Sequence, residues 1–429
     1  MVVLGTAVMI GCNTMQRPAS TPSTPTASTP TTTKPAPVAP TPSTPAPVTP
    51  TPVSSWVFCA NEFSGCSFSG LRQVRYVLKG KATIKSFFGS ADCKDFNFAV
   101  KNDGSSSAKC EYAGNYQTKT LPNPMPGMSG LGASVTVPLG HPGFSGPRVQ
   151  PTDDRGAPSD IGAFRTVCDL SHFAFDDPIV FPGKPGASHL HMFFGNSSTS
   201  AFSTADSIAK SGNSSCAGGT LNRTAYWIPA LIDGSSNVIL PASAIFYYKT
   251  GYLGIKPADV KAMPPGLRMI SGDGTLSSAQ GQGHWGCNET YIGHKDSIQE
   301  VLKDPRCGPG NHAEIGIDFP QCWDGKNLDS SNHKSHMAWP VNGACPSTHP
   351  VPIPVISIIV RFLIPAGGAK GWHLSSDMYD YASRGGGFSA HADWWNGWDP
   401  ATEKAFIENC NNPSKDCHGY LLGDGRTLF

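Results

Sequence analysis

Gly186-Ala-Ser-His189-Leu-His191-Met-Phe-Phe-Gly-Asn196 is the stretch whose reading decides the fold. Leu190, Met192 and Phe194 alternate with His189 and His191, and a period of two belongs to a strand, whose successive side chains leave opposite faces. One face therefore turns to a core, and the two imidazoles share the other. The same format returns in His391-Ala-Asp393, while His333-Lys-Ser-His336 brings two imidazoles to one side of a helical or tight turn. Further strands are expected over 188–194, 225–231, 244–249, 267–271, 313–319 and 355–364, separated by Gly/Pro turns. Few amphipathic helices compete with them. One short helix is expected over 401–409, with Asp399 as its cap and Pro400 at its first position. The pattern predicts a mainly β chain whose main domain is an antiparallel β-sandwich or jelly-roll-like fold with long loops.

The chain has 429 residues, enough for two or three domains and a sizeable core. A net charge of +1 and the lack of a basic stripe exclude nucleic acid as the main partner. The opening run MVVLGTAVMIGC ends in Ile10-Gly11-Cys12, the pattern of a bacterial lipoprotein signal with Cys12 as the lipidated residue. Its missing basic region leaves an ordinary secretion signal as the alternative. Of the 13 cysteines, the twelve beyond Cys12 are dispersed and form no CxxC pair, which fits disulfides in an oxidising compartment. Short loops favour Cys59–Cys66, Cys93–Cys110 and Cys410–Cys417.

The organisation expected is a signal segment over 1–15 and a disordered Thr/Pro-rich stalk over 16–53. A small Cys-rich β-domain over 54–118, an irregular or linker segment over 119–163, the main domain over 164–417 and a tail over 418–429 follow. The stalk, rich in Thr-Pro and Ala-Pro, cannot form a core. Extended as polyproline II at roughly 3.1 Å per residue, it reaches on the order of 100 Å. In the small domain, strands alternate on either side of the turn-forming Gly80, and four cysteines staple a fold too small to rely on its core. Trp56, Tyr76 and Phe87 are its candidate sugar-stacking aromatics, with core packing as the alternative. Through Trp56, Cys59-Ala-Asn-Glu, Cys66-Ser-Phe-Ser-Gly and Val74-Arg-Tyr, this part resembles Cys-rich β-modules appended to secreted bacterial carbohydrate-active proteins.

The main domain carries longer blocks: Asp177-Pro-Ile-Val-Phe-Pro-Gly, the histidine strand, Tyr226-Trp-Ile-Pro-Ala and Gly266-Leu-Arg-Met-Ile-Ser-Gly-Asp. Phe319-Pro-Gln-Cys-Trp-Asp-Gly-Lys-Asn-Leu-Asp, His333-Lys-Ser-His-Met-Ala-Trp-Pro, His349-Pro-Val-Pro-Ile-Pro and His391-Ala-Asp-Trp-Trp-Asn-Gly-Trp-Asp follow. In this order, over about 164–399, they resemble the DUF1996 family. The resemblance implies a secreted or surface protein found beside wall- or sugar-associated modules, and it implies no reaction.

Three chemistries suit these residues. In the first, His189 and His191, with His336 or His333 and a carboxylate such as Asp393, hold one Zn²⁺ or Cu²⁺ with an open position. In the second, a metal-free carbohydrate cleft places an acid/base pair drawn from Asp324, Asp329, Asp377, Asp393 and Asp399 above aromatic floors of Trp323, Trp339, Trp394, Trp395 and Trp398. A lyase variant pairs a neutral His or Tyr base with Arg268 as the stabilising cation. In the third, the imidazoles are structural and the protein is a glycan-binding or envelope module without turnover. A structural Ca²⁺ at Asp324, Asp329 and Asn327 is a further cation expectation. The reading taken forward is a surface-displayed protein that cleaves polysaccharide or cell-wall glycan, using His189, His191, His333, His336, His391 and Asp393. Trp323, Asp324, Arg268, Trp339, Trp394 and Trp398 are its expected substrate contacts, and the membrane is reached only through a lipid on Cys12.

Overall fold

Five strands build the sheet on which the histidines sit: β1 Leu170–Ala174, β2 His191–Gly195, β3 Ala225–Pro229, β4 Arg268–Gly272 and β5 His391–Trp395. The computed structural model describes residues 53, 55–94, 98, 100–102, 104–127, 130–287 and 292–429. The five strands are antiparallel in the order β1-β2-β3-β5-β4. Strand β3 sets the register for both histidine strands, because Trp227 faces Phe193 on one side and Asp393 on the other.

Every residue of β2, β3 and β5 is buried, so this sheet is covered on both faces. Leu190, Met192, Phe194, Tyr226, Ile228 and Trp394 enter the large core. Phe193, Ala225, Trp227 and Trp395 leave the opposite face and pack with Ile179 and Ile208 in a smaller cluster. The alternation read from the sequence is therefore the alternation between these two interiors.

The large core is closed by an eight-stranded sheet. Its order is Ile292–Lys295, Gly283–Cys287, His312–Asp318, Val355–Leu363, Ser243–Lys249, Ala163–Val167, Lys415–Cys417 and Ala157–Pro158. Its pairings are antiparallel except for the parallel contact of Lys415–Cys417 with Ala163–Val167. The two sheets meet through aromatic side chains, with the Tyr226 and Phe246 ring centroids 3.9 Å apart. This is the expected mainly β, antiparallel sandwich. The expected helix occupies Pro400–Phe406, and the Asp399 carboxylate accepts the Thr402 amide hydrogen at its start.

The small N-terminal sheet pairs Trp56–Asn61, Lys109–Ala113, Gly65–Leu78 and Lys81–Asp92 in that order. Lys79 and Gly80 both have positive φ, the conformation a two-residue hairpin turn requires. Residues 119–163, expected as a linker or irregular segment, contribute more than that. Thr118–Pro122 pairs with Ser134–Pro138, and Leu131, Val135 and Val137 enter the large core. The tail is also part of the body, because Arg426–Leu428 pairs with Val149–Pro151. Strands of three to five residues are too short to display a period in the sequence.

All twelve described cysteines are paired. The three local bridges form as expected, and Cys168–Cys216, Cys287–Cys307 and Cys322–Cys345 complete the set. Six disulfides point to an oxidising, extracellular-type compartment. Among the described residues no helix is long and apolar enough to cross a membrane. Cys12 and residues 16–52 of the stalk lie outside the described residues.

Tyr248 joins the two sheets chemically as well as sterically. Its hydroxyl accepts indole N–H bonds from Trp394 at 3.2 Å and Trp398 at 2.9 Å, and bonds the Tyr226 hydroxyl at 2.7 Å. Tyr248→Phe leaves two buried indole donors unpaired at about 1–3 kcal/mol each. We expect a loss of roughly 2–5 kcal/mol, read from denaturant unfolding.

Candidate metal centre

His191 and Asp393 leave the sheet face that carries the smaller cluster, at the end of that face to which the segment before β2 brings His189. Strand β5 contributes His391 two residues before Asp393, as the strand period requires. The ring centroids of His189 and His191 are 4.2 Å apart, those of His189 and His391 5.0 Å, and those of His191 and His391 5.8 Å. One ligand atom from each of these histidines lies within 4.8 Å of the others, and the same holds for Asp177, His191 and Asp393.

Backbone carbonyls fix how the protons sit. His191 Nδ1 donates to Asp176 O at 2.9 Å, and His391 Nδ1 donates to Ser389 O at 2.8 Å. A carbonyl only accepts, so each neutral ring keeps its lone pair on Nε2. Outer-sphere bonds of this kind orient imidazoles for metals. His189 Nε2, His191 Nε2 and both carboxyl oxygens of Asp393 are buried without a hydrogen-bond partner among the described residues. Unpaired buried polar atoms cost about 1–3 kcal/mol each, and here imidazole nitrogens and carboxyl oxygens converge without partners. Asp177 is anchored beside them, its Oδ1 accepting the amide hydrogens of Ile179 at 3.0 Å and Val180 at 2.9 Å. A converging set of lone pairs and carboxyls is the environment a cation satisfies.

Two glycines allow β4 to close over this site. Gly272 has φ +81°, and a Cβ there meets Ala390 O at 2.3 Å and His391 Cα at 2.8 Å. A Cβ at Gly274 falls 2.8 Å from His391 Cε1.

Burial sets the protonation states. It lowers His191 and His391 to about 4, with the His191 charge adding to the effect on His391. It takes His189 well below the ordinary imidazole value, aided by His191 and His391. Burial, then the neighbouring Asp177 charge, pushes Asp393 well above the carboxylate range, and burial raises Asp177 too. The imidazoles lose stability for the fold as pH falls from the unfolded value near 6.5 towards about 4, where protonation is forced on them. The carboxyls act in the opposite sense, gaining as pH falls below their raised values. The neutral imidazoles of His191 and His391 also remain free to bind a cation well into the acid range. Nitrogen NMR of the metal-free protein should therefore show His191 and His391 as neutral Nδ1–H tautomers at about pH 5.5, with protonation near about 4. Protonation of both near pH 6.5 would refute the buried, neutral donor set.

His189, His391, Asp177 and Asp393 form the floor of an open cavity of about 430 Å³ lined also by Asp273, Asn332, His333 and Lys334, with His191 buried behind them. His333 has φ +57° and bonds Asp329 Oδ1 through Nδ1 at 3.0 Å. Of the expected site residues, the structure unites His189, His191, His391 and Asp393, with His333 on the wall.

His336 is a correction: Nδ1 bonds Ser330 Oγ at 3.0 Å and Nε2 bonds Arg268 O at 2.7 Å, so neither nitrogen is free for a metal. His391 takes its place in the triad. Trp394 and Trp398 are also corrected, being interior side chains committed to Tyr248 rather than sugar floors. Trp395 is likewise buried. Trp323 donates to Asn327 O at 2.7 Å, away from the cavity. Asp324 organises its own turn by accepting from the amides of Lys326 and Asn327 and from the Asn327 side chain. Asp329 bonds the Ser330 amide, His333 and Arg268, so neither aspartate offers the Ca²⁺ loop expected of them. Arg268 is held between Asp329 and the Trp395 ring. Asp377 accepts from the amides of Leu374, Gly387 and Ser389, and Asp399 caps a helix. Trp339 lines a neighbouring cavity of about 250 Å³ that shares Ile270, Gly272 and Lys334 with the first.

Sequence reading missed Asp177 and Lys334. Asp177 is the second of two adjacent carboxylates, Asp176-Asp177, set between the apolar runs Phe173-Ala-Phe175 and Pro178-Ile-Val-Phe181, and that pair was the available signal.

Fold and site together define a disulfide-stapled β-sandwich protein with a histidine/aspartate donor cluster on the sheet face turned away from the large core. The chain belongs to the DUF1996 family, a domain of unknown function, which matches residues 177–398. No curated protein and no solved structure matches it. The matched stretch includes Asp177, His189, His191, His391 and Asp393.

Proposed function

We propose that this chain is an exported, carbohydrate-active enzyme whose reaction takes place at one metal ion held by His189, His191 and His391, with Asp393 and Asp177 beside it. The observation that carries this reading is the convergence of buried, unpartnered lone pairs on the floor of an open cavity. Three imidazoles suit Zn²⁺ or Cu²⁺ better than Ca²⁺, which prefers oxygen ligands. A set of three protein nitrogens leaves a coordination position for water or substrate, as catalytic sites do and closed structural sites do not. A bound cation would favour the ionised forms of Asp393 and Asp177, and the two carboxylates would then serve as proton acceptors beside it. The cavity volume lies in the range of small-molecule sites, so one sugar residue of a polysaccharide, or a group attached to it, fits within it. Lipidation at Cys12, with the Thr/Pro-rich stalk as spacer, is our proposal for how the enzyme is held at a cell surface.

For the rival reading, a glycan-holding module without turnover, the burial of Trp394, Trp395 and Trp398 leaves Trp323 and Trp339 as the part-exposed tryptophans of the main domain.

Elemental analysis of the whole chain, purified from an oxidising compartment without added metal or a histidine tag, tests the centre. We expect about one equivalent of zinc or copper, lost in a His189→Ala/His191→Ala variant that keeps its circular dichroism. Asp393→Asn separates function from stability. Relieved of a buried, unpaired carboxyl, the metal-free variant should melt several degrees higher than the parent at neutral pH while binding metal more weakly. Full metal content in both variants would overturn the assignment.

A further inference from the structure

The cavity above the cluster has two chemically different parts. Its floor is polar, made by His189, His391, Asp177 and Asp393. Its collar is mixed: Met125, Val180, Phe181, Ile270 and Met378 supply apolar surface, and Asp273, Asn332, His333 and Lys334 supply polar groups. Val180 and Met378 stand 39% and 42% exposed, among the few large apolar side chains the protein shows to solvent.

A bare sugar would find partners at the polar part of this collar and leave its apolar part unmatched. A sugar ring carries hydroxyls around its whole edge, which lose water without gaining partners against Met, Val and Ile. Its two faces are recognised by flat aromatic side chains, and the collar offers only Phe181. A short acyl chain has the complementary shape and polarity, with methylenes for the apolar part of the collar and a carbonyl for the polar floor.

We propose that the substrate is an acyl ester or amide carried on a glycan, with the acyl chain seated in the collar and its carbonyl carbon at the His/Asp centre. The inference deepens the metal-enzyme reading and rests on it. In the reaction one water adds to the acyl carbonyl carbon, and the bond from that carbon to the sugar oxygen or nitrogen breaks. One proton of the water passes to the released hydroxyl or amine, and its oxygen remains in the carboxylic acid. No oxidant or further reactant is needed.

The test uses the full chain loaded with zinc and a series of alkyl hydroxamates from acetohydroxamate to octanohydroxamate, which present an acyl chain behind a metal-directed head. Zinc uptake is measured first, and affinity then follows by calorimetry. We expect about two- to fourfold tighter binding for each added methylene over the first several carbons, and a flat series for Val180→Glu with zinc uptake unchanged. Zinc uptake with a flat series in the parent protein, or an equally steep series in the variant, overturns the acyl assignment and leaves the metal centre standing. Absence of zinc uptake overturns the metal centre and the inference together.

Discussion

The rest of the structure depends on the register of β2 and β5 against the shared strand β3. Both faces of this sheet are interior, so a slip of one residue in either strand would drive imidazoles or a carboxyl into the large core and expel Phe194 or Trp394. The energetic penalty of that exchange holds the donors in place. Tyr248 reinforces it from the facing sheet, because its hydroxyl accepts the Trp394 N–H from one neighbour of Asp393 in the chain. The polar site is thus positioned chiefly by apolar packing on the other side of the sheet.

Interior placement also decides the chemistry. Water would satisfy the lone pairs of an exposed imidazole, and protons would compete for them near neutrality. Burial removes both competitors, and the backbone carbonyls of Asp176 and Ser389 choose which nitrogen keeps its lone pair. The chain beyond β5 is secured by Asn396, whose side-chain amide donates to Glu403 Oε2 at 2.9 Å and to Met263 O at 3.2 Å. The strand bearing His391 and Asp393 is therefore pinned laterally by β3 and β4 and at its end by a hydrogen-bonded loop. Such bracing preserves an arrangement of mutually unfavourable groups while no cation balances them.

The parts legible in the sequence were those governed by local period. His189 with His191, and His391 with Asp393, announce themselves because residues two apart on a strand share a face. His333 and His336 follow an equally regular spacing, yet their rings are turned to separate partners: His333 to Asp329, and His336 to the Ser330 hydroxyl and the distant Arg268 carbonyl. Tryptophans are ambiguous for a different reason. A large amphipathic ring serves a core or a sugar equally well, and only the position of Tyr248 shows that Trp394 and Trp398 serve the core. Asp177 was hidden because neighbouring carboxylates set no period: Asp176 spends its oxygens on the amides of Gly186 and Ala201, and only the tertiary fold brings Asp177 to His191 and Asp393.

The division between donors and collar has a consequence for how the site is encoded. The five donor residues all lie inside the matched stretch 177–398, on or next to strands whose register is fixed by burial. Met125 lies before that stretch, in the loop of the hairpin made by Thr118–Pro122 and Ser134–Pro138, and still reaches the cavity wall. The hairpin is anchored independently by Val135 and Val137 in the large core, so its loop tolerates changes in sequence that β2 and β5 do not. Reaction chemistry and pocket shape therefore reside in segments under different physical constraints. A change at Met125 alters what the cavity admits while leaving the lone pairs of His189, His191 and His391 where the sheet register puts them.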